Sequence, residues 1–139
     1  MRSALPETQW RLARAYLALG DVKAAREHAE AGRASVSDTD VFSVATTRAA
    51  LARVCAAEGR AGEADRLFTE AIEGLRQTGY RVMRGEIERD YAEYLIDRGR
   101  VDEARPHLAS AQEAASDLQA VLRRRKLESL LRRIGAPVP

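Results

Sequence analysis

Leu12, Ala13 and Tyr16 stand at positions i, i+1 and i+4, and the same spacing returns at Leu51, Ala52 and Cys55 and again at Tyr91, Ala92 and Leu95. Such sets mark one face of an α-helix. Each is followed by a lone glycine, Gly20, Gly59 or Gly99, separated by 39 and 40 residues. Five residues after each glycine stands an alanine (Ala25, Ala64, Ala104), and seven later comes another small residue, Gly32, Ala71 or Ala111. Between these small residues lie Ala29, Phe68 and Leu108.

The pattern predicts a helix hairpin repeated three times. Glycine supplies the left-handed residue that closes the first helix, and Asp21 is placed to cap the second helix of copy one. Small residues let the two helices approach closely. One hairpin cannot bury its apolar face alone, so neighbouring hairpins must stack. Seven helices are expected, at about 6–19, 21–36, 41–58, 61–77, 81–98, 101–117 and 119–134. Pro6 suits a first helical turn, Gly79 is read as the end of the fourth helix, and Pro106 is expected to bend the sixth. The result is one all-α domain over 1–139, with repeats at about 6–37, 41–78 and 81–118 and a capping helix at about 119–134.

Composition agrees with this picture. The 139 residues are one domain's worth of chain, and 45% hydrophobic with 32% charged residues provides for a packed core. Twenty-six alanines against 5% aromatic residues favour close helix contacts, and nine glycines with four prolines are too few for a turn-rich β chain. No run approaches the length of a membrane span. The opening residues Met1–Pro6 lack the apolar stretch of a signal peptide, so the cytoplasm is the default compartment. A single cysteine, Cys55, excludes an internal disulfide and a multi-cysteine metal site.

These residues resemble the tetratricopeptide repeat. The match rests on Leu12, Ala13, Tyr16, Gly20 and Ala25 in copy one, on Leu51, Ala52, Gly59, Ala64, Phe68 and Ala71 in copy two, and on Ala92, Gly99, Ala104 and Ala111 in copy three. Tyr91 stands where leucine is usual, Trp10 falls one place late, and the period exceeds the usual length of about 34 residues. Lengthened copies of this kind are similar to those in the C-terminal regions of bacterial transcription regulators and signalling ATPases. The resemblance implies a right-handed α-solenoid whose first helices line a concave groove. It also implies a non-catalytic protein–protein interaction module, placed as the sensing or docking part of a bacterial regulatory system.

Transferring the groove positions gives Glu7, Trp10, Arg14 and Leu17, then Thr46, Ala49 and Arg53, then Glu86, Arg89, Glu93 and Ile96. Arg14, Arg53 and Arg89 form a possible row of guanidiniums for carboxylates, with Trp10 as apolar anchor. The expected partner is therefore a protein or peptide with acidic groups and a large apolar side chain. Because arginine is the default polar residue of this chain, the row is also readable as compositional.

Other chemistry is not signalled. No cofactor, metal or catalytic set is expected: His28 and His107 are two copies apart and read as structural, Cys55 reads as a buried thiol, and the glycines stand singly. Glu86, Asp90 and Glu93 read as a solvated or groove-lining helix face. Residues 119–139 carry a net charge of +5, from Arg123, Arg124, Arg125, Lys126, Arg132 and Arg133 against Glu128, whereas residues 1–118 carry −3. Leu118, Val121, Leu122, Leu130, Leu131 and Ile134 read as the apolar stripe of a cap with a polar outer face. The alternatives are self-association as a homodimer and weak, salt-sensitive nucleic-acid binding through this basic segment.

Overall fold

The computed structural model describes residues 6–138, with side chains from Thr8 onward. It contains α1 (Pro6–Ala18), α2 (Val22–Ala34), α3 (Val41–Ala57), α4 (Ala61–Leu75), α5 (Arg81–Asp97) and α6 (Val101–Arg133), with no strand among the described residues. The three repeat glycines close α1, α3 and α5 as the spacing predicts. Gly20, Gly59 and Gly99 have φ of 81°, 79° and 77°. In each case the next amide reaches back five residues, Asp21 to Tyr16 at 2.9 Å, Arg60 to Cys55 at 2.9 Å and Arg100 to Leu95 at 2.8 Å. This arrangement satisfies carbonyls that the helix end would otherwise leave open. Asp21 caps α2 by accepting from the Ala24 amide at 3.0 Å, and Asp40 caps α3 by accepting from the Ser43 amide at 3.1 Å.

Two boundaries differ from expectation. The fourth helix ends at Leu75, and Gly79 lies in the following turn without a positive φ. There the Thr78 hydroxyl donates to the Leu75 carbonyl at 2.7 Å and does the terminating. The sixth and seventh expected helices are one 33-residue helix that continues through Pro106. Every earlier junction holds a glycine or a polar loop, whereas nothing between Pro106 and Gly135 stops a helix. A separate capping helix at 119–134 therefore does not exist.

Each helix packs against its chain neighbour. The first helices of the hairpins, α1, α3 and α5, also touch in succession, whereas α2, α4 and α6 do not touch one another. The first helices thus form the inner, concave layer of a solenoid. Helix α6 packs against α5 alone.

The core runs through all three hairpins. Ala25, Ala49, Ala64, Ala71, Ala92 and Ala104 are fully buried where helices cross, and Trp10, Phe68, Ile72, Ile87 and Leu95 fill the space between. Glycine takes over where even a methyl group crowds. A Cβ on Gly32 of α2 would lie 3.0 Å from Gln9 Cβ, and one on Gly85 of α5 would lie 2.9 Å from Ala114 Cβ of α6.

Equivalent contacts tie helices within and between hairpins. His28 Nδ1 meets Gln9 at 2.8 Å and its ring stacks on Tyr16, while His107 Nδ1 meets Glu88 at 3.3 Å and its ring lies against Tyr91. Both histidines therefore face the first helix of their own hairpin. Between hairpins, Arg26 pairs with Glu58, and Asp65 pairs with Arg100 at 2.9 Å and accepts from the Tyr91 hydroxyl at 2.9 Å.

Candidate concave binding site

The concave layer opens into a cavity of about 340 Å³ near the C-terminal ends of α1, α3 and α5. Leu17 of α1, Ala56 and Ala57 of α3 and Tyr94 of α5 give it apolar wall, with Val22 and Phe68 behind. Arg53, Asp90, Glu93, Asp97 and Arg98 give it charge of both signs. The repeat explains the convergence: Leu17 and Ala56 each stand three residues before their closing glycine, so the ends of successive first helices arrive side by side.

Asp90 decides the electrostatics. Its side chain is 0% exposed and lies 3.1 Å from Arg53 Nη1 and 3.5 Å from Arg14 Nη2. Neither carboxylate oxygen accepts an aligned hydrogen bond, and Arg53 Nε is likewise buried without an acceptor. Burial pushes the Asp90 carboxyl above its usual range, and the charges of Arg53, Arg14 and Arg89 only partly oppose the shift. Because the folded value is raised, protonated Asp90 favours the native state. That contribution is complete below the unfolded value of about 4 and is lost as pH rises through the folded one. Asp90→Asn is therefore expected to flatten the pH dependence of the melting temperature above pH 4. A wild-type profile retained in the variant excludes Asp90 as its source.

The expected row of arginines is thus partly occupied within the protein. Arg14 and Arg53 are half-buried around Asp90, while Arg89 is exposed. Leu17 and Glu93 line the cavity. Trp10 is corrected: at 1% exposure it belongs to the core, with the Arg14 and Arg11 guanidiniums 5.0 and 5.4 Å from its ring centre, and it offers no anchor to a ligand. Thr46 and Ala49 are also buried between helices, whereas Ile96 is exposed. The side chain of Glu7 lies outside the described residues.

The acidic face of α5 is likewise divided. Asp90 and Glu88 are buried and Glu93 is exposed. Glu88 accepts from the Ser110 hydroxyl and contacts His107 across the α5–α6 seam, with Arg84 Nε 3.7 Å away. Burial would raise its carboxyl, but the hydrogen bonds from His107 and Ser110 and the nearby positive charge hold it below the ordinary carboxylate range.

Tyr94, Asp97 and Arg98 were not among the residues singled out by repeat position. They face the cavity because α5 meets α3 near its C-terminal end, with Arg98 Nη2 3.4 Å from the Ala56 carbonyl and its guanidinium 5.3 Å from the Tyr94 ring centre. Cys55 is buried, its thiol pushed up chiefly by burial and by the charge of Glu63, which leaves a poor nucleophile. Among the described residues no group of histidine, cysteine and carboxylate side chains has the arrangement of a metal site.

The sequence profile of the tetratricopeptide repeat matches residues 6–31, 45–68 and 88–110, together more than half of the chain. The chain belongs to the tetratricopeptide repeat family. The matched segments fall one to each hairpin, and each contains one of the three closing glycines. Tetratricopeptide repeats generally mediate protein–protein interaction and are typically non-catalytic. No curated protein and no solved structure matches the chain. No helix among the described residues is long and apolar enough to cross a membrane.

The basic segment lies on the second half of α6. Leu118, Val121, Leu122, Leu127 and Leu130 are 37–55% exposed and Ile134 is 77% exposed, so this half covers nothing. Nor do its apolar residues form one stripe. At about 100° per residue, Leu118, Val121 and Leu122 share one side, continuing the α5-facing line of Ala104, Ala111 and Ala114. Leu127, Leu130, Leu131 and Ile134 share the opposite side. Arg123, Arg124, Arg125, Lys126, Arg132 and Arg133 are all exposed around both.

Proposed function

We propose that the protein is a non-catalytic binding module that holds a peptide segment of a partner protein in its concave cavity. The supporting observation is the cavity itself, where the ends of successive first helices bring the apolar Leu17 and Tyr94 together with Arg53, Glu93, Asp97 and Arg98. The apolar contact expected of Trp10 passes to Leu17 and Tyr94. Acidic groups of the ligand meet Arg89 and Arg98, and basic groups meet Glu93 and Asp97. The ligand therefore carries an apolar side chain flanked by charged groups of both signs. The lengthened repeat spacing supports placing this module as the sensing or docking part of a regulatory system.

Affinity capture from a nuclease-treated lysate tests the reading. Wild type is compared with Leu17→Glu/Ala57→Arg, which fills the cavity from two partly exposed wall positions and whose folding is checked by circular dichroism. A protein retained by wild type and reduced at least tenfold by the folded variant supports the groove. Equal retention by both removes it as the binding surface.

A further inference from the structure

The end of α6 repeats the geometry that closes the first helix of each hairpin. Gly135 has φ of 72°, and the Ala136 amide reaches back five residues to the Leu131 carbonyl at 3.0 Å. Leu127 and Leu131 stand eight and four residues before this glycine, as Leu12 and Tyr16 stand before Gly20, Leu51 and Cys55 before Gly59, and Tyr91 and Leu95 before Gly99. In the complete hairpins these two positions are covered by second helices: Tyr16 stacks on His28 of α2, Cys55 meets Arg26 of α2, and Tyr91 lies between Phe68 of α4 and His107 of α6. At Leu127 and Leu131 no second helix is present among the described residues, and Leu127 is 55% exposed.

We infer that the second half of α6 is the first helix of a fourth hairpin, and that an acidic amphipathic helix of a partner protein supplies the second. The apolar side formed by Leu127, Leu130, Leu131 and Ile134 needs an apolar helix face of the kind that α2, α4 and α6 present within the protein. The surrounding net charge of +5 over residues 119–139 selects a helix whose remaining face is acidic. Two apolar sides on one helix fit burial between neighbours, as in the interior of a solenoid. A helix lying on a membrane has a single apolar side. A second copy of the same segment would bring two strongly basic surfaces together, which like-charge repulsion opposes.

The protein's own α4 provides a probe. Its sequence Ala61–Leu75 has the second-helix pattern Ala64, Phe68, Ala71 and four acids against one arginine. A fluorescent synthetic peptide of this segment, held helical by a side-chain staple between positions 62 and 66, is titrated against the full chain. The same titration uses Leu127→Glu/Leu131→Glu and the cavity variant Leu17→Glu/Ala57→Arg. Saturable binding of one peptide per chain is expected, at least tenfold weaker in Leu127→Glu/Leu131→Glu and unchanged in the cavity variant. Both leucines are partly or largely exposed, so the folded state survives and circular dichroism verifies it. The inference is overturned if wild type does not bind, if the leucine variant binds equally, or if a stapled peptide of scrambled sequence binds as well. It is overturned also if sedimentation shows a wild-type dimer that the leucine variant returns to monomer, since the face is then covered by a second copy.

Discussion

Phe68→Ala is expected to destabilise the protein by about 3–5 kcal/mol, the usual cost of emptying a buried phenylalanine site. Phe68 is fully buried, and its ring lies 5.0 Å from that of Tyr91 and 6.0 Å from that of Tyr94. The three rings join α4 of the second hairpin to α5 of the third, so the deletion removes packing at a junction as well as volume. Neighbouring side chains are held by their own hydrogen bonds, Tyr91 to Asp65 and Tyr94 to the Ala61 carbonyl, which limits collapse into the space. The control is Leu108→Ala at the equivalent place in copy three, where the side chain is 41% exposed. Its cost is expected to be about 1 kcal/mol or less. Urea denaturation of both variants checks the contrast, and equal midpoints would show that the second and third hairpins are not coupled through this site.

Gly85→Leu is expected to detach α6 from the body. Alanine at this position already places a Cβ 2.9 Å from Ala114 Cβ and 3.6 Å from the Ala111 Cα, and leucine adds branches where backbone lies. Overpacking of this kind costs about 1–3 kcal/mol, against a gain of under about 1 kcal/mol from replacing glycine within a helix. The strain is concentrated because α6 touches α5 alone. Hydrogen exchange should show loss of amide protection across 104–114 while α1 to α4 keep theirs. Wild-type protection throughout α6 in the variant would show that the seam yields without separating.

The hairpins were legible because glycine and alanine mark their geometry directly. A residue with positive φ at a helix end and a small residue at a helix crossing leave a signature that survives variation in the rest of the repeat. The expected break between 117 and 119 is absent for the complementary reason: no glycine stands there, so the helix continues, and Asp117 pairs laterally with Arg81 at 2.7 Å. The cavity was half legible. Leu17, Arg53 and Glu93 follow from repeat position, whereas the burial of Trp10 and Asp90 depends on how closely successive first helices pack. That distance is set by side chains on a neighbouring hairpin, which no single copy encodes. Asp90 was read with Glu86 and Glu93 as one helix face, yet it alone comes between two guanidiniums.

The two junctions of the solenoid are unequal. The first hairpin meets the second through both α1–α3 and α2–α3, whereas the third meets the second mainly through α4–α5, with α3 and α5 only lightly in touch. In a linear array, cooperativity is carried by interfaces between neighbours, so α5 and α6 constitute a unit whose opening requires the loss of one interface. The cavity sits across that weaker junction, with Arg53 on one bank and Glu93, Tyr94 and Asp97 on the other. If the proposed peptide is held there, it bridges the more lightly packed of the two junctions, and its binding is expected to join two weakly coupled folding units into one.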